Sequence, residues 1–360
     1  MDVVKVNLGD KSYQISIGAN SLEQIGSLLK ELQPAGKILV VSDDNTGRIY
    51  GDTVLKSLAS AGFTAELLLV PPGEGTKSLE VAQTVFTKAI RMGLDRKSPI
   101  AALGGGVVGD LTGFIAATYL RGIPFIQIPT SLLAQVDSSV GGKVAVNHPL
   151  GKNLIGAFYQ PKAVIIDIHT IYTLPERELA TGLAEVIKHG LIADAALFAY
   201  LQTNHRQMFN RDPAALSHII KRSCEIKAGV VAQDERESGL RMILNFGHTI
   251  AHAIEASAGY GKYNHGEAVA IGMHGAALIS CYLGLCAPEL IETVKRVVAN
   301  YHLPLTAVGC KPNDIFSLLT RDKKTLGGKI HWVLLADIGK VVIRNDVPEE
   351  IVFRAITELT

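Results

Sequence analysis

Three groups of residues in the second half of the sequence have the types and spacings that bind a divalent metal ion. Glu185 and Lys188 are three residues apart in GLAEVIKHG, and His248 and His252 are four apart in LNFGHTIAHAIE. Residues at these spacings share one face of a helix. His265 follows in YNHGEAVAIG, at the predicted start of another helix. One carboxylate and two imidazoles suit a divalent ion, which acts as a Lewis acid when coordination positions stay open.

The same histidines allow a simpler interpretation. The chain has 11 histidines, and a single histidine on an apolar face is more often a packed or surface residue. HTIAH also lacks the glutamate of the H-E-x-x-H motif, which argues against a metalloprotease site. The pattern therefore indicates a metal without fixing which one, although zinc, cobalt or another divalent ion would suit the donors.

A glycine-rich turn in the first half is a candidate dinucleotide site. Gly104, Gly106 and Gly109 form a G-x-G-x-x-G pattern between a predicted strand and a predicted helix. Glycine lets the backbone approach a pyrophosphate closely, and the start of the helix offers it unpaired N–H groups. The alternative is a glycine turn that only packs strand against helix, and the motif does not follow the first strand, as it does in the ordinary fingerprint.

Two further polar turns follow predicted strands, Asp43-Asp44-Asn45 and PGEGTKS at 72–78. A carboxylate at such a position can accept hydrogen bonds from ribose hydroxyls. Open parallel sheets bind ligands at the carboxyl ends of their strands. Ordinary helix caps are the alternative for each turn alone, so the three turns together favour a nucleotide site.

Basic residues in glycine-rich or apolar surroundings are candidates for binding an anionic substrate. The 35 basic and 34 acidic residues give a net charge of +1, so no global field attracts nucleic acid or a membrane surface. Local groups would have to bind anions, although for any single lysine a solvated surface position is the alternative. The candidates are Lys143, Lys152 with Asn153, Lys227, Arg241 and the Lys323-Lys324 pair.

The elements that must position these residues fall into two regions. Segments 2–8 and 12–17 predict a hairpin, and alternating strands and helices predict a parallel sheet covered on both faces. The strands are predicted at 37–43, 65–70, 99–105, 124–130 and 163–168, and the helices near 21–32, 46–61, 78–92 and 107–120.

After about residue 175 the sequence has mostly helical periodicity, with a late hairpin predicted within 330–346. We therefore predict an α/β protein with two domains. Residues 1–175 would form a Rossmann-like, parallel-sheet domain that binds NAD, and residues 176–360 a mainly α-helical domain that binds metal and substrate. Ligands commonly bind in a cleft between such halves.

The bulk composition agrees with a folded, reduced protein. Hydrophobic residues make up 48% and charged residues 19%, which is enough for a sizeable core. The four cysteines form no C-x-x-C pair, the alternating and acid-containing N-terminus does not resemble a signal peptide, and no run approaches the roughly 18 apolar residues of a membrane span. We expect reduced thiols and a cytoplasmic protein.

The order of the motifs resembles the 3-dehydroquinate synthase family from about residue 40 to about residue 340. The motifs are PGEGTKS, GLAEVIKHG, RMILNFGHTIAHAIE, YNHGEAVAIGM, RDKK and a long central block, GGGVVGDLTGFIAATYLRGIPFIQIPTSLLAQVDSSVGGKVAVNHPLGKNLIGAFYQP. The resemblance implies conversion of 3-deoxy-D-arabino-heptulosonate 7-phosphate to 3-dehydroquinate and phosphate, in the shikimate route. Such an enzyme uses NAD catalytically and one divalent metal ion, zinc or cobalt, and forms a homodimer.

The resemblance also implies roles for individual residues. The metal ligands would be Glu185, His248 and His265. NAD would contact Asp43, Asn45, Gly73, Glu74, Gly75, Thr76, Lys77, Gly105, Gly106, Val107, Val108, Gly109, Asp110, Thr130, Ser131, Lys143, Lys152, Thr170, Ile171, Tyr172 and Thr173. The substrate phosphate would contact Lys143, Asn153, Asn245, His252, Lys323 or Lys324, and the partner subunit's Arg121, and Lys152 would also bind substrate. Asn245 and His252 would be catalytic, together with Asp137 and Lys188. Lys227 and Arg241 would bind the substrate carboxylate, and Asp137 and Lys188 would surround the reacting hydroxyls.

Three rival functions stay open. A metal-dependent polyol or glycerol-phosphate dehydrogenase would share the glycine turn and the metal donors, but would not need Lys227 and Arg241 together with a separate phosphate cluster. Another sugar phosphate cyclase, making 2-deoxy-scyllo-inosose or a valiolone, would have no substrate carboxylate to bind. A nucleotide-binding regulatory module would not explain the metal-type residues.

Overall fold

The structure is a computed structural model that describes residues 1–32, 36–259, 261–325 and 329–360, with the backbone alone over 320–325. It divides into two compact units. One comprises Met1–Leu174 and Leu216–Glu235, and the other comprises Pro175–Ala215 and Arg236–Thr360. The chain thus returns to the first unit for residues 216–235, a path that the helical periodicity of the sequence does not indicate. The division of NAD and metal binding between the halves stays a prediction.

The first unit contains nine strands, four α-helices and most of a fifth α-helix within the described ranges. They are β1 (Asp2–Val6), β2 (Tyr13–Gly18), α1 (Ile25–Leu32), β3 (Lys37–Asp43), α2 (Asp44–Ser60), β4 (Thr64–Val70), α3 (Leu79–Met92), β5 (Ile100–Gly104), α4 (Gly106–Thr118), β6 (Phe125–Pro129), β7 (Lys143–His148), β8 (Gly151–Phe158), β9 (Ala163–Asp167) and α8 (Pro213–Gln233).

Seven of these strands form one sheet in the order β1-β2-β9-β6-β5-β3-β4. All neighbours are parallel except β1 and β2, which pair antiparallel as the predicted N-terminal hairpin. Alternate residues of each strand face opposite sides: Val40 packs with α1 and α2, whereas Leu39 and Val41 pack with α3 and α4. The predicted parallel sheet with two covered faces is confirmed.

The β7–β8 hairpin was not predicted, because the pattern of exposed and buried residues along β8 is not typical of a strand. Three of the six residues of β7 are buried, but along β8 every residue is exposed or only partly buried. β8 therefore lacks the alternation of apolar and polar residues by which a strand is recognised in sequence. Lys143, Lys152 and Asn153, which the sequence places in glycine-rich or apolar surroundings, thus lie on a defined hairpin.

The second unit is mainly helical, as predicted, and contains the predicted late hairpin before its last helix. Its elements are α5 (Glu176–Ala193), α6 (Ala195–Thr203), α7 (His205–Phe209), α9 (His248–Ala258), α10 (His265–Tyr282), α11 (Glu289–Asn300), α12 (Pro312–Thr325), β10 (Trp332–Asp337), β11 (Lys340–Arg344) and α13 (Glu349–Glu358). Ile254 of α9, Ile271 of α10 and Ile356 of α13 are buried in one core with Leu334 of β10. Lys323 and Lys324 lie on α12, but their side chains fall outside the described residues.

The four cysteines are free thiols, as expected; Cys224 and Cys310 are buried, while Cys281 and Cys286 are partly exposed. Among the helices in the described ranges, none is both long enough and apolar enough to cross a membrane.

Candidate functional site

The second unit brings Glu185, His248 and His265 together. Glu185 lies in the middle of α5, His248 begins α9 and His265 begins α10. The Glu185 Oε1 atom is 3.7 Å from His248 Nε2 and 3.6 Å from His265 Nε2, and one donor atom of each residue lies within 4.8 Å of the others. Donors held by one zinc ion at about 2.1 Å in tetrahedral geometry are roughly 3.4 Å apart. The three side chains therefore have the geometry of a metal site.

Glycines allow the three helices to approach this closely. A Cβ atom on Gly266, beside His265, would lie 2.2 Å from the backbone oxygen of Thr181 on α5. A Cβ atom on Gly272 would lie 2.0 Å from the backbone oxygen of Gly247, beside His248. Because these contacts are with backbone, side-chain rotation could not relieve them. The glycines of α10 thus set the distances among the three donors.

The surroundings of Glu185 suit a cation. Its side chain is fully buried, and neither carboxylate oxygen accepts a well-directed hydrogen bond from the described residues, although the Lys188 ammonium contacts Oε2. Burial disfavours its charge, yet Lys188 and the two imidazoles hold the pKa of Glu185 well below its usual range. A buried carboxylate that stays ionised is stabilised by further positive charge, which a divalent ion would provide.

The two imidazoles differ in protonation. Burial, and then the charge of Lys188, lowers the pKa of His248 to about 3. Its Nδ1 lies 3.2 Å from the Phe246 carbonyl oxygen, so a proton on Nδ1 leaves the lone pair of Nε2 available to bind a metal ion. Burial would lower the pKa of His265 as well, but Glu185 and Glu255 raise it to about 9. His248 is therefore ready to bind a metal, whereas His265 must first lose a proton.

Glu255 was missed in the sequence. Its Oε1 lies 3.8 Å from His265 Nδ1, on the opposite side of the ring from Glu185. An outer carboxylate of this kind orients a ligating imidazole. The available signal was its position seven residues after His248, which places both residues on one face of α9.

The other predicted residues of the second unit lie near these elements in sequence. Lys188 is on α5 and is almost completely buried. The ring of His252, one turn after His248, is 5.8 Å from the His248 ring. Arg241, 2% exposed, and Asn245 lie on the 3-10 helix Leu240–Asn245, and Asn245 donates to the Glu237 carboxylate at 2.6 Å.

In the first unit, β3 and β5 form the point at which the strand order reverses. In the sheet, β3 lies between the edge strand β4 and the more central strand β5. The helices that follow β3 and β5, α2 and α4, pack on opposite faces of the sheet. Open α/β sheets bind ligands at the carboxyl ends of such neighbouring strands. At this edge Asp43 ends β3 and Gly105 caps α4. A Cβ atom on Gly106 would lie 2.9 Å from Ser138 Oγ, so glycine keeps the backbone approachable.

The turn after β4 carries a buried lysine that joins several predicted cofactor and substrate residues. Lys77 donates to Asp110 Oδ2 at 2.7 Å and to Asn153 Oδ1 at 2.5 Å. Desolvation raises the pKa of Asp110, against the opposing charge of Lys77. Asn147 donates to Glu74 at 2.8 Å and accepts from the Asn153 N–H at 2.9 Å. The turn, the start of α4 and the β7–β8 hairpin are therefore held as one network.

Gln135 is a second residue that the sequence analysis missed. It is fully buried, and its amide donates to the carbonyl oxygens of Pro129 and Asp167 at 3.2 Å each and to Thr170 Oγ1 at 3.0 Å. It thereby fixes the ends of β6 and β9, where Thr130 and the 170–173 segment were predicted to hold NAD. A glutamine within SLLAQVDSS carries no recognisable signal for this role.

Asp137 lies on a short π-helix, Ala134–Ser138, which binds helix α8. Lys227 of α8 donates both to the Asp137 backbone oxygen at 2.6 Å and to its Oδ1 at 2.7 Å. The Cys224 thiol donates to the Gln135 carbonyl oxygen at 3.3 Å. π-turns leave carbonyls outside the usual helical ladder and recur at functional sites. Residues 216–235 therefore contribute contacts to Asp137. The sequence did not reveal these contacts, because Asp137 and Lys227 lie in motifs that are far apart in the chain.

The remaining predicted residues of the first unit lie on its turns and hairpin. Arg121 precedes Gly122 in a left-handed turn, with φ of 66°. Lys143 and Lys152 are exposed on β7 and β8. The other cofactor candidates all follow strands. Gly73, Thr130 and Ser131 lie in turns, and Gly75 and Thr76 lie in the 3-10 helix Glu74–Thr76. Asn45 lies in the first turn of α2, Val107, Val108 and Gly109 lie in the first turn of α4, and Ile171, Tyr172 and Thr173 lie in the 3-10 helix Ile168–Thr173.

Two solved cyclase structures resemble this chain over its whole length. A 2-epi-5-epi-valiolone synthase from Streptomyces hygroscopicus subsp. jinggangensis 5008, with NAD⁺ and Zn²⁺ bound, is 29% identical, with 98% of each chain covered and a TM-score of 0.90. A 2-deoxy-scyllo-inosose synthase complexed with carbaglucose-6-phosphate, NAD⁺ and Co²⁺ is 26% identical, with 100% of each chain covered and a TM-score of 0.90. The fold is thus that of the sugar phosphate cyclases.

The sequence matches are more specific than the fold. Family models described as 3-dehydroquinate synthase N-terminal and 3-dehydroquinate synthase C-terminal match residues 67–181 and 182–325. A curated 3-dehydroquinate synthase from Desulforamulus reducens is 51% identical over 351 residues, which cover 97% of this chain and 98% of that relative. Both the two-part match and the full-length identity agree with the resemblance drawn from the motifs. The chain therefore belongs to the 3-dehydroquinate synthase family.

Proposed function

We propose that the protein is a 3-dehydroquinate synthase, a carbon–oxygen lyase that converts 3-deoxy-D-arabino-heptulosonate 7-phosphate to 3-dehydroquinate and phosphate. The observation that carries this proposal is the set of three converging donors, Glu185, His248 and His265, in a chain that is 51% identical to a curated synthase. The buried basic residues Lys227 and Arg241 support a substrate that bears a carboxylate.

NAD and a divalent ion, when bound, would supply a hydride acceptor and donor and a Lewis acid that polarises the oxygen at C5. The strand ends that carry Asp43 and the Gly105–Asp110 turn would hold NAD. Glu185, His248 and His265 would hold the ion. Both cofactors return to their starting state, so no net oxidation of the substrate results.

The chain's own side chains account for the remaining steps. Lys188 would lie beside the reacting hydroxyls with Asp137, which Lys227 holds. A neighbouring lysine or histidine in its neutral form would take up and return the proton of the C5 hydroxyl. The ketone at C5 acidifies C6, and the substrate's own phosphate can remove that proton as it leaves C7. Asn153, Asn245 and His252 would fix the phosphate end. Holding the two ends of the opened chain together then favours the closing aldol step.

One alternative has specific support: another sugar phosphate cyclase. The two cyclase structures share the whole fold at TM-scores of 0.90, so the fold does not separate the products. The substrate carboxylate does, because the family resemblance assigns Arg241 and Lys227 to it, whereas the substrates of those other cyclases have no carboxylate. The bidentate geometry of arginine matches a carboxylate.

The direct test is an assay with the heptulosonate phosphate, NAD⁺ and Zn²⁺ or Co²⁺, in which released phosphate and 3-dehydroquinate are both measured. We expect equal amounts of the two products and no accumulation of NADH. Formation of phosphate without dehydroquinate, or no reaction in metal-replete protein, would refute the proposal. Net NADH on a polyol would instead identify a dehydrogenase.

Asp43 offers a test of the NAD site that separates binding from helix capping. Its Oδ1 accepts from the Thr46 N–H at 2.9 Å and so caps α2. Asp43→Ser keeps a capping oxygen but removes the carboxylate that would bind ribose hydroxyls. We expect NAD⁺ to bind about 10-fold more weakly, since hydrogen bonds to charged groups contribute about 1.5–3 kcal/mol.

The matched control is Asp194→Ser, the same substitution at the N-cap of α6, where Asp194 Oδ1 accepts from the Ala196 and Leu197 N–H groups at 3.0 and 3.1 Å. The control should lower the melting temperature slightly without changing the NAD⁺ dissociation constant, measured by titration calorimetry. If the NAD⁺ dissociation constant of Asp43→Ser equalled that of wild type, Asp43 would cap the helix without binding NAD.

We also propose that the protein is a cytoplasmic homodimer. The four free thiols support a reducing location. The dimer rests on the family resemblance, which gives Arg121 a role at the partner's site. Sedimentation equilibrium would measure the oligomeric state.

A further inference from the structure

The ligand His265 occupies an exposed position for a metal donor, because it is the first residue of α10. Its side chain is 34% exposed, compared with 0% for Glu185 and 14% for His248. The first turn of a helix lacks four internal hydrogen bonds and frays most easily. Something other than the helix itself must therefore hold the His265 backbone in place.

A fork of hydrogen bonds from α5 does so. Arg177 Nε donates to Glu267 Oε1 at 2.7 Å, and Arg177 Nη2 donates to Glu267 Oε2 at 2.8 Å. Glu267 Oε2 also accepts from the Asn264 backbone N–H at 2.8 Å, which closes a capping box around His265. Asn264, the residue before the ligand, and Arg177 of α5 thus bind the same carboxylate.

Further bonds fix the same segment to the start of α5. Arg177 Nη2 also donates to the Lys262 carbonyl oxygen at 3.2 Å. The Asn264 amide donates to Glu178 Oε1 at 2.8 Å. Arg177 therefore bridges the loop before the ligand and the first turn after it, and α5 is the helix that carries Glu185.

We propose that Arg177 is a positioning residue for the metal site: its bidentate pair with Glu267 holds His265 in register with Glu185. The inference rests on the proposed function. Isolated surface ion pairs contribute little, but a two-bond Arg–carboxylate fork is the geometry that contributes most. Here the carboxylate side chain is only 15% exposed, so the pair is partly shielded from water.

The test measures metal affinity directly in the full-length protein. Zinc dissociation constants would be obtained by competition with a chromophoric chelator for wild type and for Arg177→Ala. We expect the variant to bind zinc about 10- to 100-fold more weakly, the range for loss of an outer residue that orients a ligand. The visible absorption of the Co²⁺-loaded variant should shift, since that spectrum reports the ligand geometry.

Two further variants sharpen the result. Arg177→Lys keeps the charge but cannot form the fork, so its zinc affinity should lie between those of wild type and Arg177→Ala. The control is Arg344→Ala: Arg344 makes an equivalent fork with Asp346, at 2.7 and 2.6 Å, but on β11, which carries no predicted ligand. Its zinc affinity and Co²⁺ spectrum should match wild type.

The inference is overturned if Arg177→Ala binds zinc as wild type does, or if Arg344→Ala weakens zinc equally. It is also overturned if Arg177→Ala lowers only the melting temperature of the metal-free protein. Should Arg177→Ala fail to fold, Glu267→Gln keeps the cap and removes the charge, and an unchanged Co²⁺ spectrum there would refute the proposal. If the wild-type protein binds zinc and makes dehydroquinate, any of these results would refute only the role of Arg177 and would leave the proposed function intact.

Discussion

His265→Ala is expected to lose its divalent ion and at least about 10³-fold of its turnover while keeping its fold. The metal would stabilise charge on the substrate oxygen by several kcal/mol, and about 4 kcal/mol corresponds to about 10³-fold in rate. The fold should survive because His265 is partly exposed at the start of α10 and contributes little to the core. Bound metal would be measured by elemental analysis after dialysis, and turnover by phosphate release.

The matched control for this variant is His331→Ala, since His331 is exposed just before β10. It should keep both metal and rate. Circular dichroism of the two proteins checks that the helices are intact. If His265→Ala retained one metal ion per chain and its rate, the assignment of the ligands would be wrong.

Arg241→Ala is expected to lower kcat/KM for the heptulosonate phosphate by about 10²-fold or more. A guanidinium that forms two charge-assisted hydrogen bonds with a carboxylate contributes about 3 kcal/mol, which corresponds to about that factor. Because the family resemblance assigns Arg241 to the substrate carboxylate and not to NAD or the metal, the dissociation constants of NAD⁺ and zinc should stay within about twofold of wild type.

Arg241→Lys separates charge from geometry. The lysine variant keeps the positive charge but offers no planar pair of donors, so it should recover only part of the lost kcat/KM. Steady-state kinetics on both variants measures this, with metal-free unfolding temperatures as a check on folding. Wild-type kcat and KM in Arg241→Ala would remove the main argument against a valiolone or inosose synthase.

The parts of the fold that could be predicted have strong local patterns. The strand Lys37–Asp43 is a continuous apolar run followed by a polar turn, and its observed bounds match the predicted ones. The i, i+4 spacing of His248 and His252 placed them on one helix, which the structure confirms. The local residue pattern is sufficient to predict features that lie within a single strand or helix.

The parts that could not be predicted depend on contacts between distant segments. The approach of α10 to α5 depends on Gly266 meeting the backbone at Thr181, and nothing in the local sequence marks that contact. The role of the π-helix at Asp137 can be recognised only from its contact with Lys227, which lies 90 residues later in the chain. Glu255 and Gln135 were missed for the same reason, since their partners come from other elements.

The return of residues 216–235 to the first unit also affects the order in which the chain can fold during synthesis. Domains generally fold as units, starting from the N-terminal one, while the ribosome is still adding residues. Here the first unit lacks helix α8 until residue 235 has emerged, so Asp137 has no Lys227 until then. Residues 175–215 have by then been synthesised, but they belong to the second unit, whose remaining residues, 236–360, have not yet been synthesised. A chain cut at residue 175 would therefore contain an unfinished first domain.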